Sequence, residues 1–76
     1  MTLFHFNFRD EAGVFSDDVG AEYRSLEDAK TAAVKCLAEL AGDQGAIPSV
    51  YSWVIEGRDS SKKLLFEVRL TVEITT

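Results

Sequence analysis

The sequence is short of the groups that usually hold small proteins together. It has one cysteine, Cys36, and one histidine, His5, in 76 residues. An intrachain disulfide is therefore excluded, and a lone thiol suits a reducing compartment. One Cys and one His cannot supply the four ligands of an ordinary structural zinc site. Bases are scarce too: eight against thirteen acids, for a net charge of −5. They are scattered, and only Lys62 and Lys63 adjoin. A polyanion is normally held by Lys and Arg neutralising its phosphates, so nucleic acid is disfavoured as a partner, as is an anionic membrane surface. No apolar run approaches the roughly 18 residues of a membrane span. The opening "MTLFHFNFRD" lacks a basic stretch followed by a continuous apolar one, so it does not read as a signal peptide. A cytoplasmic location is the expectation. The glycines form neither a G-x-G-x-x-G fingerprint nor a Walker A loop.

What is present is a core. Hydrophobic residues make up 46% of the chain and eight are aromatic, which is not the composition of a disordered segment. A chain of this length fits one domain, residues 1–76, and buries only about 60% of its unfolded surface. With no disulfide or zinc, tight packing or self-association must supply the rest.

The periodicities place the elements. "TLFHFNF" (residues 2–8) alternates with period two and predicts a strand, with Phe4, Phe6 and Phe8 on one side. "RDEAG" (9–13) reads as a turn. "VFSDDVGAEYR" (14–24), broken by Asp17, Asp18 and Gly20, reads as one or two short extended pieces. "SLEDAKTAAVKCLAELAG" (25–42) predicts a helix with Ser25 as its N-cap, acids in its first turn and Gly42 as a left-handed C-terminal residue. Leu26, Ala29, Ala33, Leu37 and Leu40 form its apolar stripe, with Cys36 beside it as a small hydrophobe. "DQGAIPS" (43–49) reads as a loop, "VYSWVIEG" (50–57) as a strand and "RDSSKK" (58–63) as a hairpin connection. "LLFEVRLTVEI" (64–74) is the cleanest strand: Leu64, Phe66, Val68, Leu70, Val72 and Ile74 face one way, and Leu65, Glu67, Arg69, Thr71 and Glu73 the other. The expected fold is a two-layer α+β domain, one helix on a three- to four-stranded antiparallel sheet, in the order β-(β)-α-β-β. The phenylalanine row then faces the helix. An aromatic platform for single-stranded nucleic acid would need cationic flanks, and here the row runs into Asp10 and Glu11.

The strings "FHFNFRDEAG", "DDVGAEYRSLEDAKTAA", "CLAEL" and "EGRDSSKKLLFEV" resemble a family of short bacterial domains of unknown function, common in alphaproteobacteria. Members open with an aromatic strand ending in Arg-Asp, continue with an acidic-Gly-x-Glu segment and a Leu-x-x-Ala helix, and close with a β-hairpin. Arg9, Asp10, Asp17, Gly20, Glu22, Leu26 and Ala29 carry the match. Three features depart from it. Asn7 stands where members often have histidine, the glycine after Arg-Asp is delayed to Gly13, and "RDSSKK" lacks the usual glycine. The resemblance implies a fold and a bacterial origin but no activity.

Chemistry has few candidates. Asp10, Glu11, Asp17, Asp18 and Glu22 could meet around one hairpin and offer oxygens to a hard cation, but their spacing matches no Ca²⁺ loop, and Asp and Gly are ordinary turn residues. His5 lies on the strand face away from the phenylalanines and reads as a surface or interface residue. No catalytic residue, cofactor site or metal site is expected, and an enzyme is not. The outer sheet face is mixed, and the last strand at about 36 Å outruns a helix of about 24 Å. The expected interaction surface is His5, Leu65, Glu67, Arg69, Thr71 and Glu73, used by a homo-oligomer, a dimer formed through the sheet edge or the outer face. The expected function is a non-enzymatic, self-associating interaction or accessory module. The alternative is a regulatory or antitoxin-like domain acting through a protein or nucleic-acid partner.

Overall fold

A computed structural model describes residues 1–45 and 49–76 of the chain. Its elements are β1 (Thr2–Asp10), β2 (Gly13–Phe15), β3 (Ala21–Tyr23), α1 (Leu26–Asp43), β4 (Val50–Arg58) and β5 (Leu64–Glu73). They form an open antiparallel sheet with strand order β2-β1-β4-β5, to which β3 is added by pairing with β1. One helix lies on it. This is the expected α+β fold, with the segment before the helix resolved into two short strands. The molecule measures 45 × 21 × 17 Å.

The sheet rows follow from register. Phe6, Gly57 and Phe66 stand side by side on β1, β4 and β5, as do Phe8, Ile55 and Val68. These rows share the inner face with Trp53 and Tyr51. Ala33, Leu37, Trp53 and Ile55 form the buried cluster, and Phe6, Phe8, Phe66, Val68 and Leu70 pack around it. Full burial of Trp53, Leu37 and Ile55 stabilises the fold by about 1.5–3 kcal/mol each. The small Ala29 and Ala33, fully buried, let α1 lie close to the sheet. At the N-terminal end of β1 the rings continue the packing. Tyr23 stacks on Phe6 (5.6 Å, 12°), and Phe6 meets Phe66 edge-on (5.9 Å, 76°). Gly57 lies between those two phenylalanines in register, and a Cβ there would overlap the Phe66 ring.

Ser25 caps α1, its Oγ accepting the Asp28 N–H at 3.1 Å, with Glu27 and Asp28 in the first turn. The other end differs from expectation. The helix runs through Gly42 to Asp43, and the cap is Gln44 in an extended conformation (φ −65°, ψ 134°), its N–H reaching the Ala41 carbonyl. Gly42 is therefore not a left-handed terminator. Among the described residues the positive-φ glycines are Gly13 and Gly20. The apolar stripe is narrower than expected. Ala29, Ala33 and Leu37 are buried, while Leu26 and Leu40 are exposed at the helix ends. Cys36 is exposed as well, so it is not part of the core. The predicted loop 43–49 begins one residue later than read, and its residues 46–48 lie outside the described residues.

The ladder between β4 and β5 shifts at Gly57/Arg58: Gly57 faces Phe66 but Arg58 faces Leu64, so Leu65 has no partner of its own. This bulge breaks the alternation expected for Leu64 and Leu65. From Phe66 to Glu73 the alternation holds. No helix among the described residues is long and apolar enough to cross a membrane.

Candidate functional site

Three polar features occupy the side of the sheet away from α1 and its borders. The first is a plug in one edge of the sheet. β2 and β3 pair with successive stretches of β1, Phe8–Asp10 and Thr2–Phe4. Between them the chain leaves the ladder at residues 16–20, and Asp17 replaces the missing strand. Its Oδ2 accepts the Phe6 N–H (3.2 Å), its Oδ1 accepts those of Val19 (3.1 Å) and Gly20 (2.9 Å), and its own N–H donates to Asn7 Oδ1 (3.0 Å). The Gly20 hydrogen bond is the main reason its carboxyl stays below the ordinary 3.8. Those of Phe6 and Val19 and the nearby charge of His5 assist, against partial desolvation. Gly20 is required twice over: its φ is +78°, and a Cβ would lie 3.0 Å from the Phe4 carbonyl oxygen. The Asp17 carbonyl also accepts from His5 Nδ1 (2.9 Å), which fixes the proton on that nitrogen.

The second feature is a cleft of about 360 Å³ between this plug and the β4–β5 turn, lined by His5, Asn7, Asp17, Asp18, Arg58 and Lys62. Its charges are of both signs and largely turned on one another. Arg58 donates to Glu56 (3.1 Å) and to the Lys62 carbonyl (2.9 Å), and Asn7 is engaged by Asp17. The turn holds itself: Asp59 Oδ1 accepts the N–H groups of Ser61 and Lys63, and Lys62 takes the left-handed conformation (φ 67°) in place of the absent glycine. Arg58 and Lys62 carry no site signal in the sequence, and Asn7 stands out there only as a departure from the family pattern. Asn7 lies two positions along β1 on the same face as His5, and the antiparallel register of β1 with β4 sets Arg58 opposite His5 and brings the turn with Lys62 near.

The third feature is a row of alternating charges across the outer face: Arg58–Glu56 (3.1 Å), Glu56–Arg9 (3.1 Å), Arg9–Glu67 (3.7 Å) and Glu67–Arg69 (3.3 Å). Register sets Glu56 directly opposite Glu67, an unfavourable pair that Arg9 bridges. Val54 sits between Arg9 and Arg69 and is buried on this helix-free face, where long charged side chains cover apolar surface with their stems.

The structure divides the expected interaction surface. Glu67, Arg69, Thr71 and Glu73 follow one another along β5, the outermost strand. Leu65 falls at the bulge, and His5 lies on β1, two strands away and tied to the plug. The five acids also separate. Asp10 caps the β1–β2 turn by accepting from Ala12 and Gly13, Asp17 is the plug, and Glu22 pairs with Leu3 at the far end of β1. Among the described residues no three His, Cys, Asp or Glu side chains are grouped to hold a metal ion. The Cys36 thiol is pushed up by partial burial and then by Glu39, away from the thiolate a nucleophile requires.

Neither a curated protein nor a solved structure matches the chain. A family model does match, and over nearly the whole fold: residues 3–71, from the aromatic start of β1 through Thr71 of β5, fit the domain of unknown function DUF6894, and the chain belongs to that family.

Proposed function

We propose that this domain is a non-enzymatic interaction module that associates with itself through β5. The observation that carries the reading is the state of that strand. β5 is ten residues long and is the last strand of the sheet path, so one of its edges is unpaired among the described residues. Its inner row of Phe66, Val68, Leu70 and Val72 is only half buried. An edge of that length with apolar residues beside it is a template for another strand. A non-enzymatic role fits the polar groups, which are spent on the fold: Asp17 and His5 in the plug, Arg58 and Asp59 in the turn, and Arg9, Glu56 and Glu67 in the outer charge row. The negative net charge and alternating outer face favour a protein partner over nucleic acid.

Light scattering on a size-exclusion column over a hundredfold dilution tests the reading. A mass twice that of the 8.4 kDa chain at the high end is the expected result. A monomer at every concentration overturns it.

A further inference from the structure

Resting on the self-association just proposed, we infer that the partner is a second copy whose β5 pairs antiparallel with the first about a two-fold axis at Val68. The argument is one of charge and register. Continuing the sheet antiparallel places residues of one face opposite residues of the same face, because side chains alternate with period two. A two-fold then passes through one residue of β5 and its copy. With the axis at Val68, Glu67 of each copy stands opposite Arg69 of the other, twice over. Phe66 stands opposite Leu70, Val68 opposite itself and Leu65 opposite Thr71. Inner apolar residues meet apolar ones, and outer acids meet bases.

The neighbouring registers fail. Moving the axis to Glu67 sets Glu67 against Glu67, and moving it to Arg69 sets Arg69 against Arg69. At Phe66 it sets Lys63 against Arg69, and at Leu70 it sets Glu67 against Glu73. Like charges directly opposite are destabilising in a sheet. An axis at Thr71 would pair Arg69 with Glu73 but carries Glu67 past the end of the strand, to face Thr75. The axis at Val68 keeps both charge pairs inside β5 and within the regular stretch after the bulge. Glu67 and Arg69 are exposed enough to reach across, at 37% and 56% of their side-chain surface. Backbone hydrogen bonds along the shared edge supply affinity, and the charges select the register. The product is a continuous sheet of order β2-β1-β4-β5-β5-β4-β1-β2 with both helices on the same side.

Two charge-reversed chains test this in trans. Glu67→Arg sets Arg opposite Arg69 in its own dimer, and Arg69→Glu sets Glu opposite Glu67. A one-to-one mixture restores opposite signs at all four positions. Each variant alone should associate at least about tenfold more weakly than the parent, and the mixture should return to within about threefold of it. A mixture no tighter than its components overturns the register, as does undiminished association of either variant alone. Disulfide trapping gives an independent reading in a Cys36→Ser background. Val68→Cys should cross-link under mild oxidation. Thr71→Cys should not, because its copy lies six residues away along the strands, about 20 Å, beyond the reach of a disulfide. Cross-linking at 71 in preference to 68 overturns the proposed axis. A dimer by light scattering that cross-links at neither position overturns β5 pairing while leaving self-association standing. A parent chain that stays monomeric removes both proposals.

Discussion

The two edges of the sheet are built on opposite principles. At one edge, beside β1, the chain makes two three-residue strands, breaks them with a five-residue loop, and fills the gap with the Asp17 carboxylate. The Phe6 N–H left between them is met by Asp17, and the outer rows of β2 and β3 are only three residues each. At the other edge, β5 runs straight from Phe66 to Glu73 with only the bulge beside Leu65 to disturb it. It carries no proline and no inward-pointing charge, two common means of protecting an edge. One edge is cut into short rows and plugged by a side chain, and the other is long and, among the described residues, unpaired.

Substitutions can break that contrast in graded steps. The largest effect is expected at the clasp that ties the edges together through β4. Gly57→Ala forces the Phe66 ring away from Phe6 and should destabilise the fold by about 3 kcal/mol, seen as a lowered denaturant midpoint. Opening the closed edge comes next. Asp17→Ala leaves the Phe6, Val19 and Gly20 N–H groups without their acceptor and should cost about 2 kcal/mol at pH 7. The pH dependence gives this prediction a sign. The folded carboxyl lies below its unfolded value of 3.8, so its stabilisation is complete above that pH and fades as pH falls through the folded value. Thermal unfolding of parent and variant should therefore differ most at pH 7, and the difference should shrink as pH falls below 3.8.

Closing the open edge is milder. Leu70→Lys aims a charge inward on β5, should cost about 1.5 kcal/mol, and should leave the chain monomeric in light scattering. The smallest change is a gain. Lys62→Gly removes a left-handed lysine from the β4–β5 turn and should stabilise by up to about 1 kcal/mol, raising the melting temperature without altering the mass.

The legibility of these features in the sequence tracks how local they are. The alternation of β5 from Phe66 to Glu73, the Ser25 cap and the Ala29–Ala33–Leu37 stripe each rest on neighbours within a few residues, and they stand in the structure as read; the bulge at Leu65 depends on β4 and is not local. The helix end is not legible, because Gly42 is compatible with both a helical and a left-handed backbone and only the chain beyond it decides. Cys36 reads as a small hydrophobe beside the stripe, but a stripe of alanines is narrow and leaves that position exposed. Asp17 read as a turn residue. Its bond to Phe6 spans eleven positions and exists only once β2 and β3 are laid against β1. The burial of Val54 depends on Arg9 and Arg69 from two other strands, and the split between His5 and the β5 row on a strand order that spacing does not encode.

Trp53 gives the molecule its own optical probe. It is the chain's single tryptophan, it is fully enclosed beneath α1, and its ring centre lies 4.7 Å from that of Tyr51. Its emission should be blue-shifted in the native protein and move to the red on unfolding. Because Trp53 belongs to β4 rather than to either edge, assembly and dissociation should leave that spectrum unchanged. Fluorescence thus reports the integrity of the core, scattering reports the use of the edge, and the two signals can be followed separately in one sample.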